Sequence, residues 1–147
     1  MKDLANNVNV SQSIAPAALA SDTNGTGVDT QGYGSATVLL DVGVEGITLS
    51  TTNKVDFILQ DSSDDSTYAA VTSATSVTNG TVDSSGIFFT ADGNADIPAV
   101  SVIGYVGGSR YIRVVADFSG THGTATPMGA SVILGDPRHS SSTDGVS

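Results

Sequence analysis

Apolar and polar residues alternate along short stretches of the chain, and Gly, Asn, Asp and Ser residues separate these stretches. In the clearest stretch, 110–118, the even-numbered positions from Ile112 to Phe118 are apolar, whereas Arg113 and Asp117 fall on the opposite face. This two-residue period predicts a strand whose even-numbered face points to the core. Further strands are predicted at 35–42, 47–50, 54–60, 67–72, 87–90, 100–105 and 129–134.

Helix signals are sparse. The chain contains one Glu and two Lys, and Ser, Thr, Gly, Val and Asp dominate it. These residues favour strands and turns over helices. Seven or eight short strands separated by turns predict an all-β fold, either an antiparallel β-sandwich or a jelly roll. The glycine-rich segment 104–109 is interpreted as a hairpin turn between two neighbouring strands.

The composition changes only near the two ends, which indicates one folded domain. We expect an extended N-terminal arm at 1–20, a single β-sandwich domain at 21–135 and a flexible C-terminal tail at 136–147. The segment 14–20 is apolar, but Pro16 disfavours a helix there. Its residues suit an extended arm or a first edge strand.

Charge narrows the possible functions. Five basic residues stand against 15 acidic ones, and the formal net charge is −10. Such a balance is opposed to nucleic-acid binding, so no nucleic-acid partner is expected.

No apolar run approaches the roughly 20 residues that cross a bilayer, so no membrane partner is expected. The chain has no Cys, which excludes disulfides and thiolate metal sites.

Candidate catalytic and metal-binding residues are few. His122 lies between glycines and His139 lies near the C-terminus, and neither accompanies a Gly-x-Ser-x-Gly motif. We interpret His122 as an exposed turn residue and expect no enzymatic activity. Two acidic groups, Asp61/Asp64/Asp65 and Asp92/Asn94/Asp96, are interpreted as turn residues that bind their own backbone. The second group resembles half of a calcium loop but lacks its sixth-position Gly and its Glu, and no cofactor is expected.

Four segments together resemble small structural proteins that tailed bacteriophages encode among their head genes. They are the runs 27–38, 59–68, 104–114 and 135–139, which read GVDTQGYGSATV, LQDSSDDSTY, GYVGGSRYIRV and GDPRH. The similarity spans roughly residues 11–139. It implies a non-enzymatic virion component, and it suggests a decoration (cement) protein on the outer surface of the capsid.

The resemblance implies a partner and a location. The partner would be the major capsid protein, and the protein would sit on the outer capsid surface after assembly in the host cytoplasm. Many cement proteins form trimers, so a homo-oligomer is expected. The N-terminal arm would contact the capsid through its apolar residues Ile14, Ala17, Ala18 and Leu19.

Other functions remain open from the sequence. A head–tail connector, a tail component and a head fibre are alternative virion parts. A carbohydrate-binding β-sandwich module is another alternative, with Asp92, Asn94 and Asp96 as possible calcium ligands. A hydrolase that uses His122 ranks last.

Overall fold

The regular structure of this chain is almost entirely β. The computed structural model describes residues 3–138. The strands are β1 (Val8–Leu19), β2 (Thr23–Asn24), β3 (Val28–Asp29), β4 (Tyr33–Val42), β5 (Lys54–Ser62), β6 (Ala69–Ala70), β7 (Val77–Thr78), β8 (Ile87–Ala91), β9 (Ala99–Tyr105), β10 (Tyr111–Ser119) and β11 (Thr126–Pro137). Two short 3-10 helices, Ala5–Asn7 and Ala74–Ser76, complete the secondary structure. Among the described residues, no helix is long and apolar enough to cross a membrane.

The strands form two antiparallel sheets that enclose one core. Sheet A has the order β1-β11-β4-β9-β7. Sheet B has β10 and β5 at its centre, with β2 and β3 on the β10 side and β6 and β8 on the β5 side. The prediction of an all-β antiparallel sandwich is confirmed.

The core follows the two-residue period of the strands. Alternate residues of β4, from Ala36 to Val42, point inward and are buried. In β10, Ile112, Val114 and Ala116 are each 0% exposed, so the predicted inward face of this strand is confirmed. Apolar burial of this kind contributes about 25 cal/mol per Å² of surface removed from water.

Three local predictions differ from the structure. The segment 104–109 is not a hairpin turn, because β9 belongs to sheet A and β10 to sheet B. It is a crossover between the sheets. Residues 47–50 form no strand; Leu49 is buried, and its N–H donates to Asn94 Oδ1 over 2.7 Å. Of the stretch 67–72, only Ala69–Ala70 pairs as a strand.

The N-terminal segment is extended, but it does not project from the body as an arm. It forms β1, the edge strand of sheet A, which pairs with β11 from Val8↔Gly135 to Leu19↔Thr126. Bulges on either side of Ile14 accommodate Pro16, which an edge strand tolerates because one side of it is unpaired. The second of the two sequence interpretations, a first edge strand, therefore describes this segment.

The folded body also ends at a later residue than the sequence predicts. Strand β11 continues to Pro137, and the Arg138 N–H donates to the Gly32 carbonyl over 2.8 Å. The folded body thus extends past the expected boundary at 135. The remainder of the predicted tail, 139–147, lies outside the described residues.

Candidate interaction surface

The outward face of sheet A carries several exposed apolar residues. Alternation places Val10 opposite Ile133, and Leu39 opposite Val102, on the side that faces away from sheet B. Val100 and Val102 of β9 are 65% and 40% exposed, and Val10 is 56% exposed. We call this set, Val10, Leu39, Val100, Val102 and Ile133, the apolar face. Contiguous exposed apolar patches are typical of interaction sites.

Charge is almost absent from the same surface. The neighbours of the apolar face on these strands are uncharged residues such as Thr37 and Ser131, together with one charged residue, Asp41. In a chain with a net charge of −10, a nearly neutral surface is a distinct region. Another protein can approach it with little loss of charge hydration.

A shallow pocket of about 500 Å³ adjoins the apolar face. Leu39 and Asp41 form one side of it, and the bulged part of β1 forms the other through Pro16, Ala17 and Ala18. Gly129 lies at its floor, where an added Cβ would approach Pro16 Cγ within 3.1 Å. The small residues therefore keep this depression open.

The four predicted contact residues separate into two pairs. Ala17 and Ala18 are exposed and line the pocket. Ile14 is 3% exposed and packs in the protein's own core, and Leu19 is half-buried against that core. The expectation that Ile14 faces a partner is therefore wrong for the folded chain, because the bulge turns its side chain inward.

His122 is buried rather than exposed, contrary to the interpretation from sequence. Its Nε2 lies 3.0 Å from the Ser119 carbonyl oxygen, and its ring packs edge-on against Phe118 with centroids 4.9 Å apart. Within residues 3–138, Nδ1 has no hydrogen-bond partner. The contact of Nε2 with Ser119 joins the two ends of the turn at 119–122, which follows β10. His139 lies outside the described residues.

In the first acidic group, the prediction of a turn residue that binds its own backbone is confirmed for Asp64, whereas Asp61 lies in strand β5 and Asp65 accepts from the Tyr68 hydroxyl. Asp64 Oδ1 accepts hydrogen bonds from the N–H groups of Thr67 (2.9 Å) and Ser66 (3.0 Å) and from the Ser62 hydroxyl (2.9 Å). These bonds hold the pKa of Asp64 well below its usual range. Asp61 instead accepts a hydrogen bond from the Tyr105 hydroxyl over 2.6 Å.

The second acidic group also binds backbone. Asp96 Oδ2 accepts from the Asp92 N–H over 3.1 Å, and Asn94 accepts from Leu49. In the part of the chain that the structure describes, no three His, Asp or Glu side chains are arranged to hold a metal ion.

The sequence contained a signal for the apolar face that alternation alone does not reveal. Val38-Leu39-Leu40, Val132-Ile133-Leu134 and Val100-Ser101-Val102-Ile103 place apolar residues on both faces of three neighbouring strands. A sheet with one solvated face normally alternates apolar and polar residues. Consecutive apolar positions therefore favour a sheet whose second face also packs against another surface.

Comparison of the chain with protein-family models, with curated proteins and with solved structures gave no match.

Proposed function

We propose that this protein is a capsid decoration protein of a tailed bacteriophage, which binds the outer surface of the major capsid protein shell through the apolar face of sheet A. The observation that carries the proposal is the combination of exposed Val10, Val100 and Val102 with a single neighbouring charge, Asp41. The phage-like segments of the sequence supply the class of partner.

The distribution of charge supports an external position. Because the net charge is −10, free subunits repel one another and stay dispersed before assembly. The same charge disfavours contact with packaged DNA. An apolar docking face on an acidic body suits a subunit that binds the shell on one side and faces solvent on the other.

The architecture supports a structural role. The two-sheet body places its apolar face on β1, β11, β4 and β9, which pair over long stretches. A face built on regular strands is held in a fixed shape, so docking orders few additional groups. Many equivalent copies on one shell then add their individual binding energies.

Cryo-electron microscopy of heads that lack the protein, mixed with the purified chain, tests the proposal. Regular density over the outer lattice is expected, with sheet A towards the shell and copies grouped in threes if the homo-oligomer forms. Density at a single vertex would contradict decoration and favour a connector or tail component. Absence of density from the particles would refute binding to the virion head.

A further inference from the structure

All the arginines and tyrosines of this chain gather at one end of the sandwich. Register places Tyr33 opposite Pro137, next to Arg138, and Tyr105 opposite Ala36 at the same end of sheet A. Arg110, Tyr111 and Arg113 come directly after the crossover that follows Tyr105, and the Arg113 guanidinium lies 4.0 Å above the Tyr68 ring centroid. Lys54, the lysine among residues 3–138, pairs with Ser119 at the opposite end of β10. Arg and Tyr, together with Trp, are enriched among the residues that dominate binding energy at protein interfaces.

A cleft of about 450 Å³ opens between these residues. Tyr33, Tyr105, Arg110 and Arg138 line it, together with the glycine-rich crossover. Its volume falls in the range of roughly 300–1,000 Å³ that small-molecule sites occupy. Gly107 and Gly108 leave the backbone of the crossover accessible, because neither has a side chain to cover it.

Hydrogen bonds fix the walls of the cleft, and they engage Arg110 but not Arg138. Arg110 donates from Nε to Asp29 Oδ1 over 2.9 Å and from Nη2 to Asp29 Oδ2 over 2.6 Å. The Tyr105 hydroxyl donates to Asp61 over 2.6 Å and accepts from the Ser109 N–H over 3.1 Å. Among residues 3–138, the ion pairs are Lys54–Asp56 and Arg110–Asp29. Arg138 is therefore a cation without a carboxylate partner in the described chain.

We propose that this cleft binds an acidic saccharide, with the ligand carboxylate on Arg138 and a sugar ring beside Tyr33. The Arg138 guanidinium, which no carboxylate of residues 3–138 pairs with, is the group of this cleft that would bind an anion. The polar lining from Thr30 to Ser35 and the exposed backbone of the glycine-rich crossover suit hydroxyl groups rather than an apolar ligand. This inference does not depend on the proposed capsid role, because the cleft and the apolar face are separate surfaces.

Titration of the full chain with trigalacturonic acid, followed by amide chemical shifts in NMR spectra at low salt, tests the proposal. Saturable shifts are expected in 30–36 and 105–110, with affinity that weakens as salt rises. Neutral maltotriose is expected to bind at least tenfold more weakly. Binding of inorganic phosphate or triglutamate as tightly as the saccharide would overturn the assignment to an acidic sugar, as would the absence of saccharide binding.

Matched variants localise the binding. An added Cβ at Gly108 meets no atom within 4 Å, so Gly108→Leu is expected to fold normally and to block the cleft. Gly123 is equally open but lies outside the cleft, which makes Gly123→Leu the control. Arg138→Gln is expected to weaken trigalacturonate binding at least fivefold with an unchanged melting temperature. Equal binding by the Gly108→Leu and Gly123→Leu proteins would overturn the proposal.

Discussion

Replacement of Ser13 by Ala is expected to loosen the attachment of edge strand β1 to sheet B. Ser13 is 4% exposed, and its hydroxyl donates to the Thr26 carbonyl over 3.0 Å and accepts from the Val114 N–H over 2.9 Å. The substitution leaves a buried N–H and a carbonyl without that partner. An unsatisfied buried group costs about 1–3 kcal/mol, so we expect a loss of about 2 kcal/mol in the free energy of unfolding.

Urea denaturation and thermal melting measure this loss. For a chain of this size, 2 kcal/mol corresponds to a decrease of roughly 4–8 °C in melting temperature. Ser11→Ala is the control, because Ser11 lies on the same strand, is half-buried and has no side-chain hydrogen bond within residues 3–138. If the two variants differed by less than about 0.5 kcal/mol, the Ser13 hydroxyl would not hold β1 to sheet B.

Three further predictions concern the core and the carboxylates. Ile112→Asp places a charge at a fully buried position and is expected to abolish the cooperative melting transition in circular dichroism; a normal melt would refute the assigned inward face. Burial, together with the charge of Asp22, raises the pKa of Asp117, so its ionised form destabilises the fold as pH rises through that pKa. Asp117→Asn should therefore raise the urea midpoint at pH 7, and this gain in stability should vanish below about pH 3.8. An unchanged midpoint at pH 7 would contradict the prediction. The pKa of Asp64 is instead lowered, so its ionised carboxylate stabilises the fold. Asp64→Asn should therefore lower the urea midpoint at pH 7, with a difference that shrinks as pH falls below about 4. A difference that is constant with pH would exclude the role of its charge.

Local pattern predicted the fold where burial alternates with a two-residue period. The charged neighbours Arg113 and Asp117 on β10 predict that Ile112, Val114 and Ala116 face the core, and all three are buried. The edge strand β1 was ambiguous, because Pro16 and consecutive Ala residues show no such period. Its place is decided by long-range pairing with β11, which no local pattern contains.

Local sequence predicts the course of turns less well than that of strands, for a physical reason. A glycine-rich segment such as 104–109 lets the chain reverse, but only the packing of β9 and β10 decides whether it joins neighbours or crosses between sheets. The flanking glycines likewise predict that His122 lies at the surface, whereas in the structure its ring packs against Phe118.

The candidate site could be predicted only in part. The apolar character of the N-terminal segment predicts Ala17 and Ala18 as contact residues, and both line the pocket. The apolar face itself joins residues from four strands that are far apart in sequence. Its composition becomes visible only when the register brings Leu39 beside Val102 and Val10 beside Ile133.

Co-sedimentation with heads that lack the protein measures most directly whether the apolar face binds the capsid shell, as we propose. The double variant Val100→Glu, Val102→Glu puts two charges on exposed positions of the face and is expected to weaken binding at least tenfold, about 1.4 kcal/mol, without a change in melting temperature. Val106→Glu is the control, because Val106 is 57% exposed but lies in the crossover at the cleft. Wild-type binding by the control and loss by the double variant would support capsid binding through the apolar face. Wild-type binding by a folded double variant would contradict it.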